Sequence, residues 1–141
     1  MPRQKFRLQK IISGGQTGVD RGSLDAAITA NIPHGGWCPR GRRAEDGVIP
    51  RKYRLKATES AEYQVRTERN VTAADGTLIL CRGPLRGGTL LTRNIAAAHD
   101  QPLLVIDLDQ AAQEPDAAVT EVAGWLKQHR VGVLNVAGPR E

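Results

Sequence analysis

The sequence predicts an α/β fold: one doubly wound domain, with a mainly parallel five-stranded sheet and helices on both faces. Three observations predict it. Short apolar runs at residues 8–13, 34–37, 77–81, 102–107 and 131–136 alternate with longer stretches of helical spacing. The first and third runs pass directly into glycine-rich turns, Gly14-Gly15-Gln16-Thr17-Gly18 and Arg82-Gly83-Pro84-Leu85-Arg86-Gly87-Gly88-Thr89, as a strand does when it hands over to a helix. The run at 77–81 is continuously apolar, as strands buried on both faces are.

Each element follows in order. Residues 1–7 form a basic lead, expected to be loose. Ile11 and Ile12 are the buried centre of the first strand. The first helix is expected from Val19 to about Ala30, with Leu24, Ala27 and Ile28 on one face, and it stops at Asn31-Ile32-Pro33. Asp20 or Thr17 is placed to cap it. His34 to Trp37 is the second strand or its edge. Residues 38–50 carry prolines, glycines and charges without periodicity, so a long loop is expected there. Residues 53–63 are ambiguous, and an extended segment fits. Residues 64–71 read as a helix, and Asp75-Gly76 as a turn into the third strand. A helix over 89–98, a fourth strand over 102–107, an amphipathic helix over 116–129 and a fifth strand over 131–136 complete the chain.

No linker or repeat divides the 141 residues, so residues 1–141 read as a single domain large enough for its own core. Apolar residues make up 40% and aromatic residues only 4%, so Ile, Val, Leu and Ala must do most of the packing. No apolar run approaches the roughly 18 residues of a membrane span, and no signal core follows the basic start; a soluble cytoplasmic protein is expected. Cys38 and Cys81 are too few for a disulfide framework or a complete zinc site, and they read as buried small hydrophobes. Net charge is +5, yet residues 1–99 hold 17 basic and 8 acidic groups whereas residues 100–141 hold 3 and 7. A basic front predicts an anionic ligand. Nucleic acid would fit the charge, but the chain lacks a basic recognition helix and interleaved aromatics, which disfavours it.

In doubly wound sheets, ligands bind beyond the carboxyl ends of the strands, where the strand order reverses. A strand order of 2-1-3-4-5 would set the two glycine loops side by side there. Neither loop is a dinucleotide fingerprint or a P-loop. Each nevertheless opens a helix, where backbone N–H groups and the helix dipole favour an oxyanion. The amides after Gly14, Gly15 and Gly88, with Gln16, Thr17, Gly18, Gly87 and Thr89, are the expected phosphate cradle. Arg82 and Arg86 flank the second loop, and Arg40, Arg42 and Arg43 sit in the long basic loop. All five are candidates to neutralise the ligand, because a guanidinium pairs with phosphate through two hydrogen bonds. Trp37 could cover an aromatic ring of the ligand, or belong to the core. No triad and no metal-ligand spacing is present.

Longer motifs carry a resemblance. Residues 12–22 with Leu24-Asp25-Ala26-Ala27 resemble the opening motif of the molybdenum carrier proteins. So do residues 35–47 with Ile49-Pro50 and Tyr53, the run Arg66-Thr67-Glu68-Arg69-Asn70-Val71, Asp75-Gly76-Thr77-Leu78-Ile79, Gly87-Gly88-Thr89, and Asn135-Val136-Ala137-Gly138-Pro139-Arg140. The similarity spans about residues 8–140. It implies a Rossmann-like fold, in a superfamily with the lysine-decarboxylase-like phosphoribohydrolases. It also implies a carrier that binds molybdenum cofactor, a phosphorylated pterin, and assembles as a homo-oligomer, a dimer or tetramer. Those phosphoribohydrolases place a glutamate three residues after the Gly-Gly-x-Gly-Thr threonine; here Thr92 stands at that place, counted from Thr89. Thr92 supplies no carboxylate, so the expectation is a carrier that holds its ligand without turnover. The alternative is a hydrolase of a nucleotide or phosphoribosyl compound, in which Asp20, Glu45, Asp46 or Glu68 would supply acid or base.

Overall fold

A computed structural model describes residues 6–140; most of the basic lead lies outside the described residues. The main sheet has five strands, all parallel: β1 (Lys10–Ile12), β2 (His34–Gly35), β7 (Gly76–Cys81), β8 (Leu103–Asp107) and β9 (Val133–Ala137). The helices are α1 (Val19–Thr29), α2 (Tyr63–Thr72), α3 (Gly87–Ala98), α4 (Leu108–Gln113) and α5 (Pro115–Gln128). Between β2 and α2 the chain makes four two-residue strands. Of these, β3 (Trp37–Cys38) pairs with β6 (Lys56–Ala57), and β4 (Arg43–Ala44) pairs with β5 (Gly47–Val48) in a hairpin.

The sheet order is β2-β1-β9-β7-β8. The expected order 2-1-3-4-5 is therefore corrected: the last strand lies in the centre, between the strands that end in the two glycine loops. Numbered instead from β7 as the first strand, the same sheet reads 2-1-3-4-5. The reversal of strand order then falls between β7 and β9, and the site should lie at their carboxyl ends rather than between β1 and β7.

Side-chain alternation divides the core between the two faces of the sheet. On one face Ile11, Leu78, Ile106, Leu134 and Val136 pack with Ala27 of α1 and Trp125 of α5. The other face, under α2 and α3, is more polar. Thr77 donates to Gln101 Oε1 (2.5 Å), Gln101 Nε2 donates to the carbonyls of Val71 and Ala74 (2.6 and 2.9 Å), and Asn135 Nδ2 donates to Thr77 Oγ1 (3.3 Å). Buried polar groups need such partners. A satellite core of Leu24, Cys38, Ile49 and Tyr53 anchors the inserted segment. The unassigned stretch after β8 is α4, capped by Asp107, whose Oδ1 accepts from the N–H groups of Asp109 and Gln110. Among the described residues no helix is long and apolar enough to cross a membrane.

Candidate functional site

A cavity of about 450 Å³ lies at the reversal of strand order. The end of β7 supplies Cys81, Arg82, Pro84, Leu85 and Arg86, and the first turn of α3 adds Gly88, Thr89 and Thr92. The end of β9 supplies Ala137 to Arg140, while Gln16 and Asp20 reach in from the first glycine loop and Arg66 from α2. Four arginines and one carboxylate thus line the cavity, and Arg82 Nε also lies 3.4 Å from Asp109 Oδ1.

The two glycine loops have different roles. At α3 no side chain caps the helix, and Arg86 is its N-cap in extended conformation. The leading N–H groups of a helix have no partner within it, so those of Gly87 and Gly88 are available to a ligand. The N–H of Thr89, expected to hold phosphate, instead donates to the carbonyl of Arg86 (3.1 Å). At α1 the amides of Gly15, Gln16 and Val19 are taken by the protein itself. The N–H of Gly15 donates to Ser13 Oγ (3.4 Å), that of Gln16 to Asp20 Oδ2 (3.2 Å), and that of Val19 to the carbonyl of Pro139 (3.2 Å). The expectation that the amides after Gly14 and Gly15 face a ligand is therefore corrected. Asp20 does not take the N-cap position, which belongs to Gly18 at φ 84°; from the first turn, its carboxylate folds back on the loop.

Gly14 is a glycine for a packing reason. A Cβ there would lie 1.8 Å from Arg66 Nη1, so only glycine lets Arg66 cross the loop to reach Asp20. The resulting ion pair, Arg66 Nη1 to Asp20 Oδ2 at 3.4 Å, is buried, with side chains 12% and 6% exposed. Burial pushes the Asp20 carboxyl above its ordinary value, against the pull of Arg66, the Gln16 N–H and Arg140. Burial likewise pushes Arg66 down, against the pull of Asp20. Arg140 stacks on the Tyr63 ring at 4.5 Å, and Arg66 lies 5.6 Å from the same ring.

The other expected residues fall elsewhere. Arg42 lies outside the cavity lining and ties down the inserted segment, donating to the carbonyls of Ile49, Pro50, Tyr53 and Leu55. Arg40 and Arg43 are exposed and also outside the lining, and the Arg43 carbonyl accepts from Gln16 Nε2 (3.0 Å). Thr17 and Gly18 are half-buried outside the cavity lining, and Thr17 Oγ1 approaches Glu45 at 3.5 Å. Of the acid–base candidates, only Asp20 lines the cavity. Asp46 is bound by Arg21 at 2.5 and 2.7 Å, which holds its carboxyl below the usual range, and Glu68 is exposed on α2. Trp37 lies against Lys56 and Arg69, outside the lining. Thr92 is buried and donates to the carbonyl of Gly88 (2.9 Å). Both cysteines are buried and free. Among the described residues no three His, Cys, Asp or Glu side chains gather as a metal site.

Reading residues one by one missed Arg66 and Arg140 as lining residues. Their signal lay in the motifs Arg66-Thr67-Glu68-Arg69-Asn70 and Gly138-Pro139-Arg140, which the resemblance picked out without assigning them to the site.

Comparison with known proteins agrees with this fold. No curated protein matches. The chain is similar to a protein from Syntrophus aciditrophicus SB named "putative molybdenum carrier protein", whose crystal structure was solved at 1.45 Å. Identity is 48% and the TM-score 0.90, over 94% of this chain and 83% of that one. The family description that matches covers residues 11–141. The chain belongs to the circularly permutated YpsA SLOG family.

Proposed function

We propose that the protein binds a phosphorylated small molecule in this cavity, and that its cargo is molybdenum cofactor, held for storage, protection or transfer. One observation carries the reading: Arg66, Arg82, Arg86 and Arg140 converge with the uncapped N-terminus of α3 at the reversal of strand order. An anion there meets guanidinium forks and leading helix amides together. The 48% identical neighbour's name supports molybdenum as the cargo's element, and the cavity is roomy enough for a pterin-sized molecule. Gly87, Gly88, Arg82 and Arg86 form the proposed phosphate seat, with Gln16 beside it. The first glycine loop acts indirectly: Gly14 and Gly15 shape the scaffold that fixes Asp20 and Arg66. Holding rather than cutting is favoured because Asp20, the one carboxylate on the lining, is committed to Arg66. A homo-oligomer working in the cytoplasm belongs to the same reading.

Equilibrium binding tests it. The purified protein should bind molybdenum cofactor, and Arg82→Ala plus Arg86→Ala should weaken that binding by roughly 10- to 100-fold, two charge-assisted contacts being lost. Release of free base from AMP or free ADP-ribose would refute the carrier reading in favour of a hydrolase. Unchanged binding in the double variant would refute the site.

A further inference from the structure

β8 (Leu103–Asp107) ends the main sheet, with β7 on one side and no strand on the other among the described residues. The ladder decides which of its backbone groups face outward. Thr77 N–H donates to the Pro102 carbonyl, and Thr77 stands opposite Leu103. In a parallel pair this register turns the N–H and C=O of Leu104 and Ile106 toward β7. The N–H and C=O of Leu103 and Val105 therefore point away from the sheet, and they have no backbone partner among the described residues. Proteins blunt such edges by shortness, lysine, proline or a bulge. The opposite edge, β2, is only two residues long. β8 has five, without lysine or proline, and Val105 is 42% exposed.

A groove of about 560 Å³ lies beside this edge, between the end of β8 and helices α4 and α5. Val105 and Asp107 line it from the strand, Ala111 and Ala118 from the helices. Glu114 and Glu121, both exposed, bring its carboxylates to three, and the lining holds no lysine or arginine. It shares no residue with the cavity at the ends of β7 and β9. Ile106 belongs to the core under α5, so alternation sets Val105 on the opposite face of the sheet. A strand added to β8 would present its side chains alternately to the acidic helices and to the face of Val105. We propose that this edge and its groove take up an extended segment of a partner protein, with alternating basic and apolar side chains, as a sixth strand. Main-chain hydrogen bonds to Leu103 and Val105 supply affinity, and Glu114 and Glu121 select basic side chains. A second copy of the chain fits poorly, because antiparallel pairing of two β8 edges about a two-fold axis would gather both sets of carboxylates on one face. The proposal is independent of the cargo in the cavity.

Fluorescence anisotropy of the full chain with a labelled, end-capped heptapeptide of alternating lysine and valine tests it. One control peptide carries glutamate in place of lysine. The other keeps the lysines but is N-methylated at every amide, so it retains charge and loses its donors. The lysine peptide should bind roughly tenfold or more tightly than either control. Glu114→Gln plus Glu121→Gln should weaken it by about tenfold, two partly exposed charge pairs being lost. Val105→Pro removes an outward N–H and leaves the ladder to β7 whole, and it should weaken the peptide by severalfold. A readout on the wild-type protein guards against a variant that fails to fold: hydrogen exchange at the Leu103 and Val105 amides should slow when the lysine peptide is added. Equal binding of the glutamate peptide, equal binding of the N-methylated peptide, or unslowed exchange would overturn the proposal. So would a wild-type dimer in sedimentation whose Leu103 and Val105 amides are already protected, because a second copy would then hold the edge.

Discussion

Removing either partner of the buried pair between Asp20 and Arg66 should have unequal consequences. Both side chains are almost out of solvent, and Arg66 Nη1 lies 3.4 Å from Asp20 Oδ2. Asp20→Ala leaves a buried guanidinium that cannot shed its proton, at a cost of about 3–5 kcal/mol. It also strips the Gln16 N–H of its acceptor, adding about 1 kcal/mol. Against a domain stability of about 5–15 kcal/mol, that sum brings the protein close to unfolding. Arg66→Met leaves a carboxyl that can neutralise itself. Burial already holds Asp20 above the ordinary 3.8, and losing the attraction of Arg66 raises it further. A group with a raised folded-state value gives its full stability below about pH 3.8 and loses it as pH rises through the folded value. Arg66→Met should therefore be clearly more stable at pH 5 than at pH 8, and at pH 5 less damaging than Asp20→Ala. The double variant should lose less than the two single losses together, since the pair is directly coupled. Urea unfolding in phosphate-free buffer reads all three, because a bound anion would shield the orphaned Arg66. Equal losses at pH 5, or an Arg66→Met variant indifferent to pH, would refute the reasoning.

Arg42→Lys should destabilise by about 2 kcal/mol, since one ammonium cannot serve the carbonyls of Ile49, Pro50, Tyr53 and Leu55 together; chemical denaturation and proteolysis within residues 39–57 check it. Sugar-phosphate affinity should be nearly unchanged in the same variant. Gly138→Ala should cost about 3 kcal/mol, because its Cβ would sit 2.3 Å from the Leu80 carbonyl oxygen and 2.6 Å from Val19 Cγ2, and the melting temperature should fall accordingly. Gly88→Ala meets nothing within 4 Å and should raise stability by about 0.5–1 kcal/mol, with a melting point at or above that of the wild type.

Much of the architecture was legible because its signals are local. Val19 to Thr29, Gly87 to Ala98 and Pro115 to Gln128 are helices close to where their apolar spacing placed them, and Gly76 to Cys81 is the apolar strand it resembled. Strand order was not legible. The run at Val133 to Ala137 is as apolar at the centre of the sheet as it would be elsewhere, and nothing local says that it enters between β1 and β7. The site shows the same division. Arg82 and Arg86 adjoin a helix start and line the cavity, as proximity to a glycine turn implied. Arg42 has the same side chain in an equally basic loop, yet its donors are spent on carbonyls that only the folded loop brings within reach. Gly14 showed itself as a glycine, but its purpose, room for Arg66 from fifty residues away, exists only in three dimensions.

The central position of β9 orders events during synthesis on the ribosome. Until residues 133–137 emerge, β1 with β2 and β7 with β8 are two separate ribbons, each with an inner edge of unpaired N–H and C=O groups. Closure needs a strand that pairs with Lys10–Ile12 across more than a hundred residues, a contact of high entropic cost that local structure cannot nucleate. The same stretch of chain then ends in Ala137 to Arg140, which line one wall of the cavity. The cavity is therefore completed in the same step as sheet closure. A nascent or clipped chain lacking this strand would expose sticky edges and lack that wall of the cavity.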